Sequence, residues 1–73
     1  MLGRIKNVQP TQYGFITGED GTDYFFHMSS YTGDWDYLRK ISPPSNKRGP
    51  LVQFKAIEHH KGLRAVNVEL LGG

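Results

Sequence analysis

Apolar and polar positions alternate along most of this chain with the two-residue period of a strand buried on one face. Five runs carry the pattern. Residues 3–9 hold Ile5 and Val8 among polar neighbours and stop at Pro10. Residues 12–18 place Tyr13 and Phe15 on one face, and Gly14 and Ile16 on the other. Residues 22–28 place Phe25 and His27 on one face, and Tyr24, Phe26 and Met28 on the other. Between these two runs lies Glu19-Asp20-Gly21, and an Asp-Gly pair between apolar runs predicts a hairpin. Residues 51–58 and 63–71 alternate again, with His59-His60-Lys61-Gly62 read as the turn between them. Residues 29–50 do not alternate. There Asp34 is placed to cap one helical turn with Trp35, Leu38 and Ile41 on one side. Pro43 and Pro44 would end that turn.

Five short strands predict an all-β fold. The expected form is a small closed antiparallel barrel, because closure hides strand edges. A barrel has one inside, and Ile16 and Phe26 are apolar enough to fill it. That leaves Tyr13, Phe15, Phe25 and His27 as a ring cluster on the outside, with Lys6 of the first strand at its border. The competing reading inverts the register and makes the rings core.

Composition narrows the function. The chain has 73 residues, enough for one small domain and too few for a doubly wound sheet or a second domain. It has no Cys, which excludes disulfides, zinc knuckles and thiol nucleophiles together. A small domain without staples, opening Met1-Leu2-Gly3-Arg4-Ile5-Lys6 with no apolar leader, is expected in the cytoplasm. No stretch approaches the roughly 20 apolar residues of a membrane span. Nine Lys and Arg against seven Asp and Glu give a net charge of +2, compatible with a nucleic-acid partner. No phosphate loop of the G-x-x-x-x-G-K type is present, so no small-molecule cofactor is expected. Adjacent His59 and His60 would diverge on a strand and lack a third ligand, so no metal is expected either. Asp34 and Asp36 have no nucleophile or base beside them, which leaves them as a cap and a solvated acid rather than an enzyme's acid pair. Glu19, Asp20 and Asp23 should repel phosphate at their hairpin. Leu70-Leu71-Gly72-Gly73 reads as a frayed terminus.

Flat rings beside cations suit an unpaired nucleic-acid strand, whose bases stack on rings while cations track phosphates. The long connection adds Tyr31, Trp35 and Tyr37 with Arg39, Lys40, Lys47 and Arg48, and the fourth strand adds Lys55. As a mobile flap, this loop would bring Trp35 onto a bound strand. The alternative function is a protein-interaction barrel whose aromatic face docks a partner or a second copy.

Several motifs resemble those of cold-shock domains. Tyr13-Gly14-Phe15-Ile16 is similar to that family's first ribonucleoprotein motif, Lys-Gly-Phe-Gly-Phe-Ile. Asp23-Tyr24-Phe25-Phe26-His27-Met28 is similar to the second, Val-Phe-Val-His-Phe after an Asp. Gly3-Arg4-Ile5-Lys6 resembles the opening Gly-x-Val-Lys strand. Gly49-Pro50-Leu51-Val52-Gln53-Phe54 resembles the Gly-x-x-Val-x-Phe strand, and Ala65-Val66-Asn67-Val68 the Ala-x-Asn-Val ending. The likeness spans nearly the whole chain except residues 29–50, an enlarged loop between the third and fourth strands. It implies one OB-fold domain over residues 1–73. It also implies a monomer that binds single-stranded RNA or DNA with little base selectivity and acts as a nucleic-acid chaperone. By this likeness Tyr13, Phe15, Phe25 and His27 stack on bases and Lys6 serves beside them. Three positions depart from the family. Asn7 stands where the family has Trp, Thr11-Gln12 replaces Lys-Gly, and Met28 replaces the last aromatic as a softer stacking surface.

Overall fold

A computed structural model describes residues 1–9, 11–42, 49–60 and 62–71. In chain order it contains β1 (Leu2–Val8), β2 (Tyr13–Gly18), β3 (Asp23–His27), a 3₁₀ turn (Met28–Ser30), α1 (Trp35–Ile41), β4 (Leu51–His59) and β5 (Gly62–Leu70). The strands close into a barrel in the order β1-β2-β3-β5-β4, with β4 returning to β1. The all-β barrel expected from the alternation is present, with one correction to its antiparallel character. β3 and β5 run parallel where Phe25 meets Arg64. The connection through α1 delivers β4 to the far side of β1, so the hairpin partner β5 closes the barrel alongside β3 in the same direction.

The inside is filled as the alternation requires. Ile5, Ile16, Tyr24, Phe26, Val52, Phe54, Ala65 and Val68 are buried on the strands. Gly14 faces inward opposite Phe26. A Cβ there would lie 2.7 Å from the Asn7 carbonyl oxygen and 2.9 Å from the Phe26 ring, so the bare backbone is what lets that ring lie across the core. The β2–β3 turn forms at Glu19-Asp20-Gly21, where Gly21 takes φ +81°, a conformation that costs glycine nothing. Asp20 anchors the turn. Its carboxylate accepts from the Thr22 amide at 3.0 Å and from the Tyr24 hydroxyl at 2.7 Å, joining the turn to a core ring.

Two irregularities change which residues face out. On β1, Ile5 pairs with Ile16 and Asn7 with Phe15, so Lys6 is the extra residue of a bulge. The bulge lets Ile5 and Val8, three positions apart, both reach the core. It also places Asn7 opposite an outward ring. On β5, three steps from Val66 to Glu69 face two steps from Lys55 to Gln53. Asn67 takes up the excess with φ +52°.

Residues 29–42 hold more order than a flap. Asp34 caps α1, accepting from the Asp36 amide at 3.0 Å. Trp35 and Leu38 face the barrel end with 8% and 0% exposure. Their burial is worth about 2–3 kcal/mol each. The indole meets the Phe26 ring edge to face at 5.5 Å and lies 6.3 Å from Tyr31. Desolvation in this packing, and then the nearby Asp34 charge, raise the Tyr31 hydroxyl above its ordinary pKa. Pro10, Pro43, Pro44, Lys47, Arg48, Lys61, Gly72 and Gly73, each of which entered an expectation above, lie outside the described residues.

Candidate nucleic-acid interface

The outward residues of β2 and β3 form the expected cluster. Cross-strand register sets Tyr13 opposite His27 and Phe15 opposite Phe25. The Tyr13 and Phe25 rings stack at 5.7 Å and 28°. Phe15 stands edge-on to both, at 6.1 Å from Tyr13 and 5.8 Å from Phe25. All three are half-buried by one another, while His27 is exposed at the end of the row. The His27 ring nitrogen Nδ1 accepts from the Ser29 amide at 3.1 Å, which fixes the ring on the face. Pairing extends the central row across four strands, from Asn7 through Phe15 and Phe25 to Arg64.

Arg64 was not among the residues singled out from the sequence. Its guanidinium lies 5.4 Å from the centre of the Phe25 ring, a cation held on an aromatic face. It gets there through the parallel β3–β5 seam, and no local spacing signals that pairing. Beyond it the face opens into a groove of about 460 Å³ lined by Phe15, Phe25, His59, Gly62, Leu63 and Arg64. His60 is an exposed residue of the turn, as expected, but its ring does not diverge from that of His59. His59 ends β4 half-buried, and the two rings lie 4.1 Å apart.

The other expected site residues fall into three groups. Lys6 reaches the border of the rings, but its ammonium is paired with the Asp23 carboxylate at 2.6 Å. Trp35 belongs to the core beneath α1 and has no flat face free for a base, so its expected role on a flap is corrected. The sequence pattern of Asp34, Trp35, Leu38 and Ile41 already contained the reason, since an apolar side on a capped helix seeks the core. Met28, expected to stack, opens the 3₁₀ turn and packs against the core cluster instead. Arg39 is exposed on α1 and lies 3.8 Å from Asp36. Lys55 is exposed on β4, which pairs with β1 and β5 and not with the ring strands. Neither is brought to the rings by strand pairing.

Electrostatics at the face are local. Asp23 is held below the ordinary carboxylate pKa, first by the Lys6 ammonium and next by the Thr17 hydroxyl, which donates to it at 2.9 Å. Asp20 is also held low, first by the Tyr24 hydroxyl and next by the Thr22 amide. Among the described residues, no group of three His, Asp or Glu side chains is arranged to hold a metal. None of the helices there is long and apolar enough to cross a membrane. Compared with known proteins, residues 1–71 match the family model described as 'Cold-shock' DNA-binding domain. A "Cold shock-like protein" of Thermotoga maritima is 31% identical over 72 residues, covering 97% of this chain and 98% of that protein.

Proposed function

The chain belongs to the cold-shock DNA-binding domain family, a nucleic-acid-binding family, and on that premise we propose that it binds single-stranded RNA or DNA on the outer ring face of β1, β2, β3 and β5. The observation that carries this reading is the cluster of Tyr13, Phe15 and Phe25, with centres 5.7–6.1 Å apart, outside a barrel whose core is already filled. Rings left on a surface without a core to fill are surface kept for a ligand. Unpaired bases stack on such rings at about 1–3 kcal/mol each. His27 extends the cluster beside Tyr13, and Arg64 supplies a charge for phosphate at the β5 end of the central row. Bases held this way are withdrawn from pairing, so the domain opposes secondary structure in the strand and acts as a chaperone of nucleic-acid folding. No bond is made or broken.

The test compares a labelled, unstructured oligonucleotide with a duplex of equal length, read by fluorescence anisotropy. The single strand should bind much more tightly, because a duplex hides its base faces. A saturating amount of protein should also lower the melting temperature of a short RNA hairpin. Equal affinity for both forms would defeat the stacking account.

A further inference from the structure

The groove beside the outer rings, about 460 Å³, is built from two parts of the chain. Phe15 and Phe25 line it from β2 and β3, and His59, Gly62, Leu63 and Arg64 line it from the β4–β5 hairpin. His59 pairs across that hairpin with Gly62, so no cross-strand side chain is laid over the imidazole. The His60 ring stacks against it at 4.1 Å and 32°, which backs the half-buried His59 ring. At Gly62 a Cβ would meet no atom within 4 Å, so the groove is open down to the hairpin backbone. Leu63 is 39% exposed, a large apolar side chain left uncovered beside the rings. Among the described residues that line the groove, Arg64 alone carries a permanent charge.

We propose that this groove is a clamp for one further base of the bound strand, a purine by preference, seated between the Phe15 and Phe25 rings and the His59 and Leu63 side chains. The inference rests on the single-strand reading above and extends its footprint from the ring strands to the β4–β5 hairpin. Continuity selects the occupant. Phe15 and Phe25 belong both to the outer cluster and to the groove, so a base stacked on the cluster has its chain neighbour within reach of the groove. The lining selects the part of the nucleotide that enters. Phosphate seeks cations, whereas rings and a leucine suit the flat face of a base. Arg64 is left to meet the phosphate attached to that base. The purine preference follows from area. A bicyclic base covers more of both sides than a monocyclic one, and stacking strength sets the modest base preferences of such sites.

The test is a cycle between ligand and protein. A single abasic site is stepped along an oligothymidine of about six nucleotides. Affinities are read by fluorescence anisotropy for the parent, His59→Ala, His59→Phe, His59→Lys and Leu63→Ser, with thermal unfolding of each variant as the check on folding. In the parent, removing a stacked base should cost about fivefold or more. His59→Ala should weaken the intact oligonucleotide by a similar factor, and at one position alone the abasic site should then cost almost nothing further. Leu63→Ser should couple to the same position. Because that side chain is already partly exposed, it reports on the groove even if His59→Ala fails to fold. His59→Phe should bind like the parent, since a ring without charge serves a clamp. Adenine at the coupled position should tighten parent binding by about twofold or more and leave the affinity of His59→Ala unchanged. Abasic losses that add to those of His59→Ala and Leu63→Ser at every position overturn the proposal. So does rescue by His59→Lys without rescue by His59→Phe, which marks a phosphate contact. Tighter binding of thymine than adenine at the coupled position overturns the purine assignment. If abasic sites cost affinity but none couples to the hairpin, the clamp falls and the single-strand reading stands. If no oligonucleotide binds any form, both fall.

Discussion

Two aromatic clusters lie on opposite sides of the same short strand. Phe26 points inward to Trp35 and Tyr31, at 5.5 Å from the indole, while its neighbour Phe25 points outward to Tyr13 and Phe15 at 5.7 and 5.8 Å. Ring chemistry and spacing are alike. The difference is cover. The inner cluster is sealed by α1, with Phe26 fully buried, whereas among the described residues no helix covers the outer one, whose three rings are only half-buried. Contact geometry between rings therefore does not decide whether they serve the fold or a ligand. What decides is whether the rest of the chain supplies a lid, and residues 34–41 supply one to the inner cluster alone.

The sharpest way to break this comparison is to truncate both sides. Phe26→Ala should cost about 3–5 kcal/mol and Trp35→Ala about 3 kcal/mol, against the few kcal/mol available to a domain of this size. Chemical denaturation should find the first largely unfolded. In the intact protein Trp35 emission should be blue-shifted and should not be quenched by an oligonucleotide. Quenching at saturation would place the indole with the outer group.

Next in size is Phe25→Ala. It should weaken single-strand binding by about 1–3 kcal/mol and lower stability by about 1 kcal/mol, through lost ring contacts. A cooperative loss of fold instead would erase the distinction between the two clusters.

That distinction was largely legible in the alternation. Ile16 and Phe26 fall on one parity and Phe15 and Phe25 on the other, and the Asp20-Gly21 turn fixes how the strands meet. The cap at Asp34 and the apolar side of Trp35, Leu38 and Ile41 were legible too. What hid Trp35 was the question of where the helix docks, which depends on a barrel end assembled from distant strands. The Lys6–Asp23 pair and the Arg64–Phe25 contact were hidden for related reasons. One depends on a bulge that breaks strand parity, and the other on a parallel seam between residues far apart in sequence.

The bulge yields a smaller prediction. Because Asn7 is opposite Phe15, Asn7→Trp should enlarge the outer cluster and tighten single-strand binding by roughly 1 kcal/mol, measured by anisotropy, with the melting temperature little changed. Unaltered affinity would mean that bound strands do not cross β1.

Smallest of all is the effect at Gln12, which leads into β2 with φ +75°. A side chain there costs roughly 1–2 kcal/mol, partly offset by the extra freedom glycine gives the unfolded chain. Gln12→Gly should therefore raise stability by about 0.5 kcal/mol while leaving affinity unchanged. A lower melting temperature would show that the Gln12 side chain contributes more than its backbone strain costs.

The central claim is that the outer rings, and not the inner ones, hold an unpaired strand. Its most direct test is an NMR titration of the full chain with a short unstructured oligonucleotide, following backbone amides and aromatic ring signals together. Saturable shifts should gather on Tyr13, Phe15, Phe25, His27 and Arg64, with Trp35 and Leu38 still. Shifts centred on α1, or none on the β2–β3 rings at saturation, would contradict the account.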